Sequence, residues 1–251
     1  MRILLAALAL APALAVADDT FFVPDAASAR LSVAMEGASG SRDAGSFGRD
    51  GEEALSRLQY APAEDWTLEA GAGIAHNDVR NRNENRYSVE ARYQGLPAGF
   101  GVGGGYRYDY DKVSIPFARL MWRSSSPAWP LGVSTIFEFP RASGRDATDV
   151  IVSAAQGLPC GLERVHCAIE LAGEDLEGFW DPEESEGGAK FLLGPTLAWH
   201  WTQGRQLDLF AGWIHAATAN VPTRPGYPDY RSNRDGAMLR LALQFGAGDV
   251  D

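Results

Sequence analysis

Apolar and polar side chains alternate at every second position over most of this chain, and that period restricts the fold more than any other feature. In Arg86-Tyr87-Ser88-Val89-Glu90-Ala91-Arg92-Tyr93-Gln94, Tyr, Val, Ala and Tyr alternate strictly with charged or polar residues. Successive side chains of a strand point to opposite faces, so such a segment turns one surface to oil and the other to water or charge. The pattern recurs over 29–36, 66–74, 100–110, 131–139, 191–201 and 237–245, and more noisily over 54–60, 113–122, 148–156, 164–172 and 206–215. Many of these segments approach the ~9–11 residues that a tilted membrane-crossing strand needs. The expected fold class is all-β: an antiparallel transmembrane barrel of about 12 strands, within a range of about 10 to 14.

Two local departures are expected. Over 113–122 the apolar register runs Val113, Ile115, Phe117 and then shifts to Leu120 and Trp122, which predicts a bulge near Ala118-Arg119. Pro116 and Pro195 lie inside strand-like runs, where a missing N–H implies an irregular ladder.

The connections provide a second test, because outer-membrane barrels alternate short periplasmic turns with longer external loops. Gly37–Glu53, His76–Asn85, Gly173–Gly188 and Ala217–Gly236 read as external loops. Ala61–Asp65, Gly95–Gly99, Ser124–Pro130 and Thr202–Arg205 read as turns. The tight Asp111-Lys112 hairpin breaks the alternation, and Arg141–Ala147 ties in length with Gly157–Glu163.

Residues 1–17, MRILLAALALAPALAVA, carry an early Arg2, an apolar run from Ile3 to Leu10 and the small-residue exit Ala15-Val16-Ala17, the pattern of a signal peptide. The expected organisation is a signal peptide over 1–17, a periplasmic segment over 18–27, the barrel over 28–246 and a tail over 247–251. No later stretch approaches a spanning helix in length, so the remainder is soluble or crosses a membrane as strands. The net charge of −11 argues against a nucleic-acid partner, since phosphate neutralisation needs basic patches.

With the apolar face outward, the inward charges are Arg30, Glu36, Arg57, Glu69, Arg86, Glu90, Arg92, Arg107, Asp109, Glu138, Asp149, Glu170, Asp208 and Arg240. Both signs occur, so pairing within the lumen is expected rather than a selectivity ring of one sign. Trp66, Tyr87, Tyr93, Tyr106, Tyr108, Phe137, Phe139, Trp199, Trp201 and Trp213 fall near strand ends, as in an interfacial girdle.

Chemistry-bearing residues are sparse. Cys160 and Cys167 flank one turn and predict a disulfide in an oxidising compartment; a metal site built on Cys160, His166 and Cys167 lacks a fourth ligand nearby. His200 and His215 fall on neighbouring predicted strands and could approach each other, although such an interfacial pair reads first as amphipathic lining. No Gly-x-Ser-x-Gly elbow is present, so no catalytic residue, metal or cofactor is assigned. Seven carboxylates crowd Glu174–Glu186, a spacing that matches no calcium loop and reads as a solvated surface.

The stretch from Ala168 to Phe245 resembles the C-terminal third of a family of proteobacterial outer-membrane barrels. The likeness is carried by Asp175-Leu176-Glu177-Gly178-Phe179-Trp180-Asp181-Pro182-Glu183-Glu184 and then Gly187-Gly188-Ala189-Lys190-Phe191-Leu192-Leu193-Gly194-Pro195-Thr196. These are similar to transporters encoded beside aromatic-degradation pathways, and the resemblance implies location more than activity. The tail departs from the usual aromatic terminus: Phe245 is followed by Gly-Ala-Gly-Asp-Val-Asp. The expected role is passive passage of small solutes or structural support of the envelope. The expected partners are outer-membrane lipid, lipopolysaccharide and the barrel-assembly machinery. Two alternatives stand beside it: a lipid-acting barrel enzyme, and a soluble periplasmic β-sandwich that binds a ligand.

Overall fold

In a computed structural model, alternation and backbone pairing resolve into one closed sheet of twelve antiparallel strands. The structure describes residues 22–24, 29–45, 49–77, 82–108, 113–126, 128–141, 148–174, 176, 190–202, 204–216 and 235–248. The first six strands are β1 (Leu31–Gly45), β2 (Arg49–Ala63), β3 (Trp66–Asn77), β4 (Arg82–Tyr93), β5 (Phe100–Tyr108) and β6 (Ser114–Arg123). The others are β7 (Leu131–Glu138), β8 (Asp149–Leu158), β9 (Val165–Glu174), β10 (Lys190–Thr202), β11 (Arg205–Ala216) and β12 (Asp235–Ala247). Each expected segment is a strand, and each strand pairs with its neighbours in sequence. β1 closes on β12 from Leu31↔Ala247 to Gly40↔Met238, which leaves no free edge. A two-sheet soluble sandwich is therefore excluded.

Burial separates the two faces. Val33, Met35, Leu58, Leu68, Val89, Val102, Leu120, Leu197, Leu239 and Leu241 point outward, and Met35, Val89 and Leu239 are more than half exposed. Soluble monomers rarely show apolar patches beyond a few hundred Å², whereas this belt runs round the barrel. Among the described residues no helix is long and apolar enough to cross a membrane, so any crossing falls to the strands. Aromatic rings mark the short-turn end: Trp66 packs on Tyr93 with centroids 5.0 Å apart, and Trp201 lies between Trp199 and Phe245 at 5.8 and 6.4 Å. Tyr87, Tyr106, Phe137 and Trp213 also face outward.

Several boundaries differ from the sequence expectation. Gly37–Glu53 is mostly strand, since β1 runs to Gly45 and β2 starts at Arg49; β3 and β4 likewise consume most of His76–Asn85. In sequence these strand ends are polar on both faces, so alternation fades while backbone pairing continues. No bulge occurs at Ala118-Arg119, because β6 keeps one register with β5 and with β7. Val113 and Ile115 are buried on the lumen side instead, and Leu120 is exposed outside. The apolar residues change face, not the backbone. Pro195 does interrupt a ladder: pairing of β10 with β11 lapses between Leu193↔Trp213 and Thr196↔Phe210 without a change of register. There a Cβ on Gly194 would meet the Ala211 carbonyl oxygen at 2.1 Å. At Pro116 the ladder with β5 is unbroken, but pairing with β7 stops at Phe117↔Glu138 and resumes only as the single Ser114↔Arg141 bridge.

The β10–β11 turn needs glycine at Gly204, where φ is +70°. At the β8–β9 turn, Cys160 and Cys167 form a disulfide with Cα atoms 5.9 Å apart. The expected signal peptide, Asp109, the expected Asp111-Lys112 hairpin, the expected acidic loop beyond Leu176 and most of Ala217–Gly236 lie outside the described residues.

Candidate functional site: the lumen

The charges on the inner face are joined by hydrogen bonds rather than spaced as separate groups. On β12, β1 and β2, Glu36 accepts from Arg240 on one side and from Arg57 on the other, the latter at 2.8 Å. A second chain of contacts starts at Gln59, which donates to Glu69 Oε2 at 2.8 Å, and Arg92 donates to the same oxygen at 3.2 Å. Arg92 also reaches Glu90 at 3.4 Å, and Glu90 takes two bonds from Arg119, at 2.5 and 3.2 Å. Arg119 in turn donates to Ser134 Oγ at 2.9 Å. Arg86 pairs with Glu53 at 3.3 Å, and Arg107 holds Glu138 with two bonds, at 2.6 and 2.9 Å.

Small residues make this wiring possible. Glu90 on β4 and Arg119 on β6 are two strands apart and meet across β5, whose inward positions between them are Gly103 and Gly105. A Cβ on Gly105 would stand 2.2 Å from the Val89 carbonyl oxygen and 2.6 Å from the Phe117 ring. A Cβ on Gly103 would press on Arg92 and Glu90 at 3.2 and 3.3 Å. Arg86 and Glu53 likewise meet across β3, where the inward residues are Gly73 and Ala75. Glycine and alanine on the intervening strand leave room for a carboxylate and a guanidinium to span two strands. Isolated buried charge is expensive, so this pairing is the condition under which such a lumen is tolerated.

The opposite wall, from β8 to β12, is different in character. Ala172, Leu192, Phe210, Ile214 and Met238 form a buried apolar cluster on the inner face. Glu170, 1 % exposed, accepts from Thr196 Oγ1, and Gln206 donates to Asp208 at 2.7 Å. Asp149 is buried at the loop end of β8.

Three residues from before β1 enter this space. Phe22 packs on the apolar cluster, Val23 is 4 % exposed beside Gly132, and the Pro24 carbonyl accepts from Gln94 and Arg123, each at 3.3 Å. The segment expected to lie in the periplasm therefore places Phe22–Pro24 inside the barrel. Apolar and polar partners for it are already present on both walls.

Of the expected inward charges, Glu36, Arg57, Glu69, Arg86, Glu90, Arg92, Arg107, Glu138, Asp149, Glu170, Asp208 and Arg240 lie on the inner face. Arg30 does not: it is exposed, precedes β1 and lies at the short-turn rim. Asp109 is outside the described residues. Two inward charges carry no clear sequence signal: Glu53 falls at the end of the expected loop Gly37–Glu53, and Arg119 falls at the expected bulge. His200 and His215 do not approach each other. They sit at opposite ends of the β10–β11 hairpin and on opposite faces. His200 instead lies against His166, with ring centroids 4.7 Å apart. His215 stacks on Trp213 and contacts Asp235 at 2.9 Å on the outer side. The bridged Cys160 and Cys167 are not metal ligands, and among the described residues no group of three His, Cys, Asp or Glu could hold a metal.

With a closed wall, an apolar belt and a charge-lined interior, the chain has the fold of a small outer-membrane barrel. No family model matches the chain, and no curated protein matches it in sequence. Solved structures do match in fold. The chain is similar to the NanC porin, at 12% identity over 85% of this chain and 98% of that one, with a TM-score of 0.52. It is also similar to the KdgM porin in complex with disordered oligogalacturonate, at 11% identity over 86% and 98%, with a TM-score of 0.54. At these identities the likeness shows the fold alone.

Proposed function

We propose that this chain is a narrow outer-membrane channel that passes small solutes passively and carries out no chemistry on them. The observation that carries the reading is the contrast between faces: among the described residues, a mainly apolar exterior around an interior wall rich in hydrogen-bonding and charged side chains. A barrel that served only as an envelope strut would fold more simply with an apolar core, since buried ion pairs replaced by packed hydrophobes are often neutral or stabilising. The resemblance of Ala168–Phe245 to transporters supports the same direction. On this reading the outer face meets outer-membrane lipid and lipopolysaccharide, and insertion depends on the barrel-assembly machinery.

One similar porin was solved with oligogalacturonate, an anionic sugar chain. Here Arg57, Arg92, Arg107 and Arg119 already hold carboxylates. An anionic solute would compete with Glu36, Glu69, Glu90 and Glu138, so neutral or zwitterionic small solutes suit this lumen better. Reconstitution in planar bilayers tests the proposal, with stepwise single-channel conductance and weak preference between cations and anions as the expected result. Phospholipid hydrolysis by protein that conducts nothing would refute it in favour of a lipid-acting enzyme.

A further inference from the structure

Phe22 occupies a seat that is assembled by four different strands, although it belongs to none of them. Its ring meets Phe210 edge-on, with centroids 5.5 Å apart and planes at 81°. The guanidinium carbon of Arg240 stands 5.0 Å from the ring centroid, and Ala172, Leu192, Ile214 and Met238 complete the apolar floor. Its backbone N–H donates to Glu170 Oε2 at 3.1 Å. The seat therefore recognises three features together: a flat apolar ring, a π-face open to a cation, and a hydrogen-bond donor beside the ring.

Nothing in barrel construction requires that seat. The wall closes through β1 and β12 without Phe22. Polar groups at the other wall, Gln94 and Arg123, hold the same segment through Pro24. Residues 22–24 thus lie across the path a solute would take and precede β1 in the chain.

We infer that the seat of Phe22 is a solute-binding subsite of the lumen, occupied in this structure by the chain's own N-terminal segment. Its solute class is a small molecule with an apolar, preferably aromatic, ring next to an N–H, ammonium or hydroxyl donor. Such a solute displaces Phe22 and with it the segment that crosses the lumen, so binding and opening are one event. A tether this short gives Phe22 an effective concentration on the order of millimolar at its seat. A free ligand must outcompete that concentration in the wild type, but meets an empty seat in Phe22→Ala. The inference rests on the channel reading for its consequence, opening, but not for the seat itself.

The test uses the full-length protein, with N-acetyl-L-phenylalaninamide as probe and N-acetyl-L-alaninamide as control. Phe22 is outside the barrel wall, so Phe22→Ala is expected to fold, which heat-modifiable migration checks. Two readouts follow for each protein: thermal unfolding in detergent and conductance in planar bilayers. The expected result is that the phenyl probe raises the melting temperature of Phe22→Ala at concentrations at least about tenfold lower than it needs for the wild type, while the alanine control does nothing. Phe22→Ala also conducts several-fold more than the wild type, and the phenyl probe reduces that current. Equal responses of the two proteins to the phenyl probe, or no response of Phe22→Ala, would overturn the seat. A melting shift confined to Phe22→Ala in proteins that conduct nothing would leave the seat standing and remove the channel.

Discussion

Severing the bond between Arg119 and Glu90 gives the sharpest energetic test of the paired lumen. Arg119 is 11 % and Glu90 7 % exposed at the side chain, so solvent screens the pair little. In Arg119→Met, Glu90 loses both guanidinium bonds and keeps only Arg92 at 3.4 Å. Breaking one side of a buried pair costs about 3–5 kcal/mol, and the surviving Arg92 contact places this case near the lower figure, about 3 kcal/mol. Glu90→Gln leaves Arg119 with Ser134 and a neutral amide, and should cost about 2–3 kcal/mol. In the double variant no unpaired charge remains opposite Arg92 and Glu69, so its loss should be no larger than that of either single change. The implied coupling is at least about 3 kcal/mol. At about 2–4 °C per kcal/mol for a chain of this size, Arg119→Met should lower the melting temperature by roughly 6–12 °C. Thermal and urea unfolding in detergent, read by circular dichroism for all four proteins, measure it. Single changes below about 0.5 kcal/mol that simply add in the double would mean that Glu90 and Arg119 are each solvated, and the argument for a wired lumen would fail.

Three further outcomes follow. Gly105→Ala forces a Cβ to within 2.2 Å of the Val89 carbonyl oxygen, whereas the outward Gly104→Ala meets nothing closer than 3.3 Å. The first should cost about 1–3 kcal/mol and the second far less, as compared by unfolding in detergent. Val89→Lys places a charge in the apolar belt and should cost about 2–4 kcal/mol near the bilayer midplane; equilibrium folding into lipid vesicles reports it. Replacing both Cys160 and Cys167 by Ser opens a loop with a sequence separation of 7. The loss should not exceed about 2.5 kcal/mol on the loop-entropy account, with conductance unchanged, and added reductant should reproduce it in the wild type.

Strands were legible wherever one face met oil and the other met charge, as from Arg86 to Tyr93. They were misread where that contrast fails. Over Val113–Phe117 the lumen itself accepts apolar groups, so apolarity no longer marks the outer face and a change of face imitated a bulge. Glu53 and the upper halves of β1 and β2 were hidden because both faces are polar beyond the belt. Arg119 shares the odd-numbered register of Val113, Ile115 and Phe117, so reading those apolar residues as outward hides its face until pairing through Gly103 sets it beside Arg92. Entry of Phe22 into the barrel had no sequence signal. Its partners, from Glu170 to Arg240, lie far along the chain, and only closure of the sheet brings them to one place.

Everything turns on which alternate side chains face lipid. Single cysteines carrying a nitroxide at Tyr87, Ser88, Val89 and Ala91, and at Leu241, Ala242 and Leu243, can be placed in a Cys160→Ser, Cys167→Ser background and reconstituted in bilayers. Collision rates with membrane-dissolved oxygen should be high at Tyr87, Val89, Ala91, Leu241 and Leu243 and low at Ser88 and Ala242. Rates that fail to alternate, or that alternate in the opposite phase, would contradict the account.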